Sequence, residues 1–201
     1  MEPSIKPHAP SCIRNREPIL DILRTYFARC GHVLEIGSGT GQHAVYFAEA
    51  LSHLAWQCSD RAENLSGIRT WLDEAALPNT PPPIELDVSG AWPGGPYDAI
   101  FSANTLHIMH WTEVERFFAG LKSVMASGAK LAIYGPFNYE GRYSSPSNAD
   151  FDAWLKARDM RQGIRDFEAV ADLATGIGLE LLEDRAMPAN NRALIWQFVR
   201  P

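Results

Sequence analysis

Two periods of apolar residues alternate along this chain. Short apolar runs that are typical of buried strands lie at residues 32–36, 54–58, 84–88, 97–103, 129–134, 179–186 and 193–199. Segments in which apolar residues recur at every third or fourth position, as on one face of a helix, lie at residues 41–51, 63–76, 111–125, 148–160 and 166–175. A further helical segment begins at Pro18, a residue that suits the first turn of a helix. Strands and helices therefore follow one another through most of the sequence.

This order of elements predicts a doubly wound α/β fold, in which helices connect parallel strands. The last two strand-like runs are separated only by Met187-Pro188-Ala189-Asn190-Asn191-Arg192, a connection short enough for a hairpin. We therefore expect a seven-stranded sheet that is mostly parallel and that closes with an antiparallel C-terminal hairpin strand.

The start of the chain differs from the rest. The first 17 residues are polar and contain prolines, so we expect an N-terminal arm at residues 1–17 and a single domain at residues 18–201. One hypothesis is that the arm folds over a bound ligand, with Arg14 or Arg16 near a carboxylate. The alternative is a solvated arm that does not contact the site.

Composition and charge narrow the range of partners. The net charge is −6 and no block of Lys or Arg occurs, which argues against nucleic acid or an anionic membrane as the main partner. No apolar run approaches the roughly 20 residues of a membrane-spanning helix, and the N-terminus lacks the apolar core of a signal peptide. Three scattered cysteines without a Cys-x-x-Cys pair are typical of a reducing compartment. We expect a cytoplasmic protein, and its oligomeric state stays open.

The most informative segment is Val33-Leu34-Glu35-Ile36-Gly37-Ser38-Gly39-Thr40-Gly41, in which a strand-like run leads into alternating glycines and then into a helix. Glycines at every second position let the backbone turn sharply and approach a ligand closely. The free N–H groups at the start of the following helix attract negative charge. This combination predicts a nucleotide-like cofactor.

Two cofactors fit this loop. The spacing Gly39-x-Gly41-x-x-Ala44, with Asp60 about 20 residues further on, satisfies the dinucleotide fingerprint of NAD(P)-binding proteins. That motif does not require Glu35, whose carboxylate could accept a hydrogen bond from an ammonium group, directly or through water. A cofactor that carries an amino acid has an ammonium group, whereas NAD has none.

Four segments, at residues 14–20, 34–43, 104–108 and 187–191, resemble the family called domain of unknown function 938, which includes the methyltransferase-like 26 proteins. More broadly, residues 33–199 resemble the class I S-adenosylmethionine-dependent methyltransferases, including the closing antiparallel hairpin. The resemblance implies a Rossmann-like methyltransferase fold and S-adenosylmethionine as the cofactor.

The resemblance also implies which residues hold the cofactor. Glu35 and the glycine loop would hold the methionine and ribose part, and Asp60 would accept hydrogen bonds from both ribose hydroxyls. Asp87 would accept from the adenine amino group, and Asn104 would lie beside the transferred methyl. Alternatively, Asp60 only caps its helix and Asp87 is only a turn residue. The complete set of implied cofactor-binding residues is Glu35, Gly37, Ser38, Gly39, Gly41, Asp60, Asp87, Val88 and Asn104.

Methyl transfer needs positioning of the acceptor above all, and it needs a base only where the nucleophile is protonated. Tyr139 and Tyr143 lie in an irregular segment at residues 135–146, where burial of their rings would form a pocket for a small organic acceptor. The catalytic candidates are Asn104, His107 and Tyr134, and the candidates for substrate binding are Tyr139, Tyr143 and Asn191.

The spacing of His107 and His110 would suit two metal ligands on one turn of a helix. No third Cys, His or acidic residue accompanies them in sequence, so we expect no metal. His107 is alternatively a buried residue that only covers the edge of the sheet.

Together these observations favour an S-adenosylmethionine-dependent methyltransferase that acts on a small-molecule acceptor, which the sequence does not identify. Two alternatives stay open. One is a non-catalytic interaction module that binds the cofactor, and the other is an NAD(P)-dependent oxidoreductase. The second lacks a Tyr-x-x-x-Lys pair, because neither Tyr134 nor Tyr139 has a lysine four residues further on.

Overall fold

The computed structural model describes residues 6–199. The first half of the chain forms α1 (Pro10–Tyr26), β1 (His32–Ile36), α2 (Gln42–Ala50), β2 (Ala55–Asp60), α3 (Leu65–Ala75), β3 (Ile84–Glu85) and β4 (Tyr97–Ala103). The second half forms α4 (Trp111–Val124), β5 (Met125–Gly135), β6 (Phe137–Asn138), α5 (Pro146–Arg158), β7 (Arg165–Asp166), α6 (Phe167–Gly176), β8 (Leu179–Met187) and β9 (Asn191–Phe198).

Seven of these strands form the main sheet, in the order β3-β2-β1-β4-β5-β9-β8. β1 pairs in parallel with β2 and β4, β2 pairs in parallel with β3, and β4 pairs in parallel with β5. β9 is antiparallel to both of its neighbours, β5 and β8. The predicted α/β fold, a mostly parallel seven-stranded sheet with an antiparallel C-terminal hairpin strand, is confirmed. The short strands β6 and β7 pair separately from this sheet.

The apolar side chains of the strands alternate between two cores, one on each face of the sheet. On β1, Val33 packs with residues of α1, α2 and α3, whereas its neighbour Leu34 packs with residues of α4 and α6. On β5, Ala132 belongs to the same core as Val33, and Leu131 belongs to the same core as Leu34. Because helices cover both faces, the ends of the strands are where the fold leaves room for a ligand.

The first helix begins earlier than the sequence predicts. It starts at Pro10 rather than at Pro18, so the predicted arm is wrong for residues 10–17. The apolar pattern does not reveal this first part, because the inner face of the helix continues there only through the half-buried Cys12 and the buried, polar Asn15. Residues 1–5 of the predicted arm, like residues 200 and 201 of the predicted domain, lie outside the described residues.

The third strand is shorter than the sequence predicts, since it ends at Glu85 rather than at Val88. The backbone N–H of Leu86 still donates to the carbonyl of Asp60 at 2.9 Å, so the chain continues beside β2. Asp87 then begins a turn, in which its Oδ1 accepts from the N–H of Ser89 at 2.8 Å. This turn leads the chain away from the sheet at the edge where a ligand would bind.

Candidate functional site

A cavity of about 660 Å³, here called the first cavity, opens at the C-terminal ends of β1, β2 and β4. Parallel α/β sheets bind their ligands at this edge. The walls come from the glycine loop (residues 37–41), from the ends of the strands and from the start of α1. Among the lining residues are Cys12, Ser38, His43, Asp60, Val88 and Asn104.

The glycines of the loop have different reasons for being glycines. All have positive φ, and a Cβ added to Gly37 would lie 2.8 Å from the side chain of Thr105. A Cβ added to Gly39 would meet no atom within 4 Å, apart from its chain neighbours, among residues 6–199. Gly37 is therefore needed for packing within the protein, whereas the space beside Gly39 belongs to the first cavity.

Glu35 lies beneath the loop and does not line the first cavity. Its Oε2 accepts hydrogen bonds from Ser38 Oγ at 3.0 Å and from Trp56 Nε1 at 3.0 Å. Burial raises the pKa of this carboxyl to about 7, although these two donors oppose the shift. Glu35 thus holds Ser38, which does line the cavity, in place.

Asp60 stands at the end of β2 with both carboxylate oxygens fixed. Its Oδ2 accepts from the N–H of Gly39 at 2.7 Å. Its Oδ1 accepts from the N–H of Arg61 at 2.7 Å and from Asn64 Nδ2 at 2.8 Å. The carboxylate therefore joins the glycine loop to the turn before α3, and it does so at the wall of the first cavity.

The next two residues of the predicted cofactor set are separated by the turn after β3. Val88 is buried and lines the first cavity. Asp87 is not among the lining residues, and its Oδ2 lies 3.7 Å from Arg61 Nε. The hydrogen bond between Asp87 Oδ1 and the N–H of Ser89 is the contact expected if Asp87 is a turn residue.

Asn104 follows β4 and lines the first cavity. It has a φ of +57°, a left-handed conformation that asparagine tolerates better than most residues. Its N–H donates to the carbonyl of Tyr134 at 2.8 Å, which ties the end of β4 to the end of β5.

The other two catalytic candidates lie behind the wall of this cavity. His107 is buried, its ring lies 5.2 Å from that of Phe151, and burial lowers its pKa to about 4, with a smaller effect from the charge of Arg165. Burial raises the pKa of Tyr134, and the amides of Asn15 and Asn191 lower it in part. The structure therefore does not bring Asn104, His107 and Tyr134 together at one cavity.

A second cavity, of about 420 Å³, lies beside the hairpin of β8 and β9. It is lined by two of the three predicted substrate residues, Tyr139 and Asn191, and by Ser144, Met187 and Arg192 among others. The hydroxyl of Tyr139 donates to Asp184 Oδ2 at 2.7 Å.

Tyr143, the third predicted substrate residue, does not line this cavity. It is 46% exposed and its hydroxyl donates to Asp152 Oδ2 at 2.7 Å. The expectation that its ring is buried in a pocket is wrong, because the segment leading into α5 turns this side chain outward.

The start of α1 supplies residues of the first cavity that the sequence analysis missed. Ser11 and Cys12 line it, as does Ala9 just before the helix. Arg14 and Arg16 do not line it: Arg14 is exposed, and the guanidinium of Arg16 lies 4.3 Å above the ring of Tyr46. Helical spacing from Cys12 through Asn15 to Ile19 is the signal that could have revealed this wall.

Among residues 6–199, the pair His107 and His110 does not form a metal site. Within that range no three His, Cys, Asp or Glu side chains group as metal ligands would, and no helix is both long and apolar enough to cross a membrane. His110 caps α4 in a capping box with Glu113, and its Nε2 lies 3.0 Å from Asp159 Oδ2. The residues at His-x-x-His spacing thus have separate structural surroundings.

Solved structures share this fold. An O-methyltransferase family protein from Burkholderia thailandensis has a TM-score of 0.82 at 19% identity, over 94% of this chain and 57% of that one. The S-adenosylmethionine-dependent methyltransferase SibL has a TM-score of 0.79 at 18% identity, over 94% of this chain and 56% of that one. An O-methyltransferase family 2 protein from Planctomyces limnophilus, in complex with apigenin, has a TM-score of 0.71 at 17% identity, over 84% of this chain and 51% of that one. This chain thus spans little more than half the length of these proteins, and at such identities the likeness establishes the fold.

The family is shown by the sequence itself. A family model described as "Protein of unknown function (DUF938)" matches residues 6–198, which is nearly the whole chain. The matched range takes in the glycine loop, the start of α1 and the turn between β8 and β9. The chain therefore belongs to the DUF938 family of proteins of unknown function.

Proposed function

We propose that this chain is an S-adenosylmethionine-dependent methyltransferase whose first cavity binds the cofactor. The observation that carries the proposal is the pairing of Gly39 with Asp60. Their hydrogen bond of 2.7 Å fixes a carboxylate at the cavity wall, next to open space that a side chain at position 39 would fill. A carboxylate beside exposed loop backbone suits a ligand that carries a ribose and an amino acid. The cavity volume of about 660 Å³ is ordinary for a small-molecule site.

The lining residues suggest how the cofactor would be held. Ser38 and Gly39 would face its methionine part, and Asp60 would accept from the ribose hydroxyls. Val88 would give the adenine an apolar wall. Asp87, the predicted acceptor for the adenine amino group, does not line the cavity and would contribute less. Glu35 would act through the loop, because it lies beneath Ser38 rather than in the cavity.

The bound cofactor would supply a methyl group on a positively charged sulfur. Orientation of the acceptor would then be the main task of the protein. Asn104 lines the cavity, and the hydrogen bond from its backbone N–H to the carbonyl of Tyr134 fixes where its side chain starts. The side-chain amide would then donate to or accept from the methyl acceptor beside the reacting groups. His107 stays uncharged near pH 7, because burial lowers its pKa to about 4, and it would act only from behind the wall.

For the acceptor, we propose a small organic molecule that extends from the second cavity to the methyl group beside Asn104, because direct displacement needs contact between the two reacting atoms. Tyr139 and Asn191 line that cavity, and Asn191 lies close to Tyr134, whose carbonyl accepts from the N–H of Asn104. The Planctomyces limnophilus protein was solved with apigenin, a small molecule, which supports this class of acceptor. A cytoplasmic location and membership of the methyltransferase-like 26 group complete the proposal.

Of the two alternatives, a non-catalytic module that binds the cofactor keeps one observation in its favour. His107 and Tyr134, the two catalytic candidates whose side chains can accept or release a proton, do not line the first cavity. The oxidoreductase alternative fits the sheet less well. A dinucleotide-binding sheet runs 3-2-1-4-5-6 in parallel, whereas here β9 is antiparallel between β5 and β8.

Incubation with methyl-labelled S-adenosylmethionine and the small-molecule fraction of a cell extract would test this proposal. We expect label to pass to a small molecule, and we expect Asn104→Gly to lower the rate by about tenfold or more. Glycine is chosen because it keeps the left-handed backbone of Asn104 without strain.

The binding of S-adenosylhomocysteine is measured on the same samples. Binding without transfer of label would favour the non-catalytic module, and the absence of both would refute the proposal.

A further inference from the structure

Three side chains at the wall of the first cavity form a hydrogen-bonded row that the proposed function does not use. Cys12 Sγ lies 3.9 Å from His43 Nδ1, and His43 Nε2 lies 2.7 Å from Asn15 Oδ1. Cys12 and Asn15 come from the first turns of α1, and His43 comes from the first turn of α2. Cys12 and His43 both line the cavity.

The row has a defined direction for its protons. An amide oxygen only accepts, so Asn15 Oδ1 accepts a hydrogen bond from the N–H at His43 Nε2 and thereby selects that tautomer. His43 Nδ1 is then left with a lone pair, and the thiol of Cys12 is its donor. A nucleophile, a base within reach and a third group that orients the base is the arrangement used in nucleophilic catalysis.

The imidazole of His43 is held rigidly. It is 6% exposed, it stacks on Phe47 with ring centroids 5.2 Å apart, and it meets the edge of Phe101 at 6.3 Å. With Asn15 on its other side, the ring has little freedom to turn Nδ1 away from Cys12.

We propose that Cys12, His43 and Asn15 form a nucleophilic triad, in which Cys12 is a site of covalent modification by alkyl electrophiles that enter the first cavity. In the reaction, the sulfur of Cys12 forms a bond to the alkyl carbon, and the leaving group departs with its electron pair. The thiol proton passes to His43 Nδ1 and from there to solvent. Asn15 positions the imidazole throughout.

The resting pair is neutral, which determines when the proton moves. Burial, with a smaller contribution from the charge of Glu35, raises the pKa of Cys12 to about 11, and burial lowers the pKa of His43 to about 4. Before the electrophile binds, Cys12 is therefore a neutral thiol rather than a thiolate. The proton must leave during the attack on the electrophile, which makes the rate depend on His43 as a general base.

Cys30 is a matched control within the same chain. It is also half-buried, and burial raises its pKa to about 11 as well. Its Sγ donates to the carbonyl of Asp98 at 3.6 Å, so its described partner is no base. Cys58, the third cysteine, is fully buried and reports unfolding when it reacts.

Timed alkylation of the native protein with iodoacetamide, followed by peptide mass spectrometry, measures all three cysteines at once. We expect Cys12 to react on the order of a hundredfold faster than Cys30, with Cys58 unreacted. His43→Gln keeps a donor towards Asn15 but removes Nδ1, and we expect it to bring Cys12 down to the rate of Cys30.

Two variants at position 15 separate positioning from packing. Asn15→Asp keeps the acceptor for His43 Nε2 and should leave the rate of Cys12 at or above the original. Asn15→Leu removes the acceptor but keeps the branching and the number of side-chain heavy atoms, and it should lower that rate about tenfold or more.

The proposal is overturned if Cys12 and Cys30 react equally fast, or if His43→Gln leaves the rate of Cys12 unchanged while Cys58 stays protected. If Cys58 reacts in His43→Gln, that variant has unfolded. The two Asn15 variants then decide: equal rates of Cys12 in Asn15→Asp and Asn15→Leu, with Cys58 protected, would also overturn the proposal. The probe is iodoacetamide, so the outcome does not depend on whether the chain transfers methyl groups.

Discussion

The two cavities at the C-terminal edge of the sheet are built in different ways. The first is made by the glycine loop and by Asp60, whose carboxylate is held by backbone and side-chain donors at both oxygens. The second is made by side chains from the segment after β5 and from the turn at residues 188–190, which has residues with positive φ. The glycine loop and the acid of the first cavity form a pattern that is visible in sequence, whereas the residues that line the second cavity form no such pattern.

This difference explains why the proposed donor can be named and the acceptor cannot. A loop that binds through its backbone requires glycine and a fixed carboxylate, and these leave a recognisable pattern in sequence. A pocket lined by Tyr139, Asn191 and Arg192 would bind through the shape of its side chains, which can change without altering the fold. Substitutions at each cavity can test whether the two are as separate in function as they are in construction.

The largest effect is expected beneath the first cavity, at Glu35. Its pKa is about 7 in the folded protein against 4.5 ordinarily, so the folded state binds a proton that the unfolded state releases between those values. The stability of the wild type should therefore fall as pH rises from 4.5 to 7, whereas Glu35→Gln lacks this loss. The difference in free energy of unfolding, variant minus wild type, should therefore rise by about 3 kcal/mol between pH 4.5 and pH 7.

Urea denaturation at pH 4.5, 6 and 8 measures this difference. His43 and His107, whose pKa values burial lowers to about 4, are present in both proteins, so their own pH effects cancel in the comparison. A difference that does not change with pH would mean that Glu35 is ionised in the folded protein.

A methyl group at Gly39 should lower the affinity for S-adenosylhomocysteine about a hundredfold, because it fills space that the ligand needs. Gly128→Ala is the matched control. Gly128 also has positive φ and open space around it, but it lines a cavity beside Cys30, away from the glycine loop. Both variants should lose about 1 kcal/mol of stability to the left-handed backbone, and only Gly39→Ala should lose affinity. Equal affinities in calorimetry would place the ligand elsewhere.

Asp60→Asn removes the charge of this side chain. It should lower the affinity for S-adenosylhomocysteine between about tenfold and a hundredfold, since hydrogen bonds to a charged group contribute about 1.5–3 kcal/mol. Asp87→Asn is the comparison, because Asp87 does not line the first cavity and should matter less. Titration calorimetry ranks the two variants. A greater loss at Asp87 than at Asp60 would reverse the proposed roles.

In the second cavity, Asn191→Ala should lower the rate of label transfer about tenfold and leave the affinity for S-adenosylhomocysteine within about twofold. Tyr143→Phe is the control, because its exposed hydroxyl contacts Asp152 and not the cavity. A loss of cofactor affinity in Asn191→Ala would show that the two cavities are not separate.

The features of the fold and the site that sequence could predict are those that depend on local patterns of residues. The strand pattern predicts the seven-stranded sheet, because buried strands and amphipathic helices differ in the period of their apolar residues. The loop glycines and Asp60 could be placed at one edge because parallel strands end there together.

The rest depends on tertiary contacts. The start of α1 escaped prediction because its inner face carries Cys12 and Asn15, which pair with His43 rather than with apolar residues. Tyr143 was misplaced because ring burial cannot be inferred from an irregular segment whose path is set by α5. Polar contacts across elements leave no period in the sequence.

A calorimetric titration of the protein with S-adenosylhomocysteine, with Gly39→Ala alongside, tests most directly whether the first cavity binds the cofactor. We expect heat of binding at one site per chain, with a Kd on the order of micromolar for the original protein and clearly weaker binding for the variant. No heat and no thermal shift at millimolar ligand would contradict it.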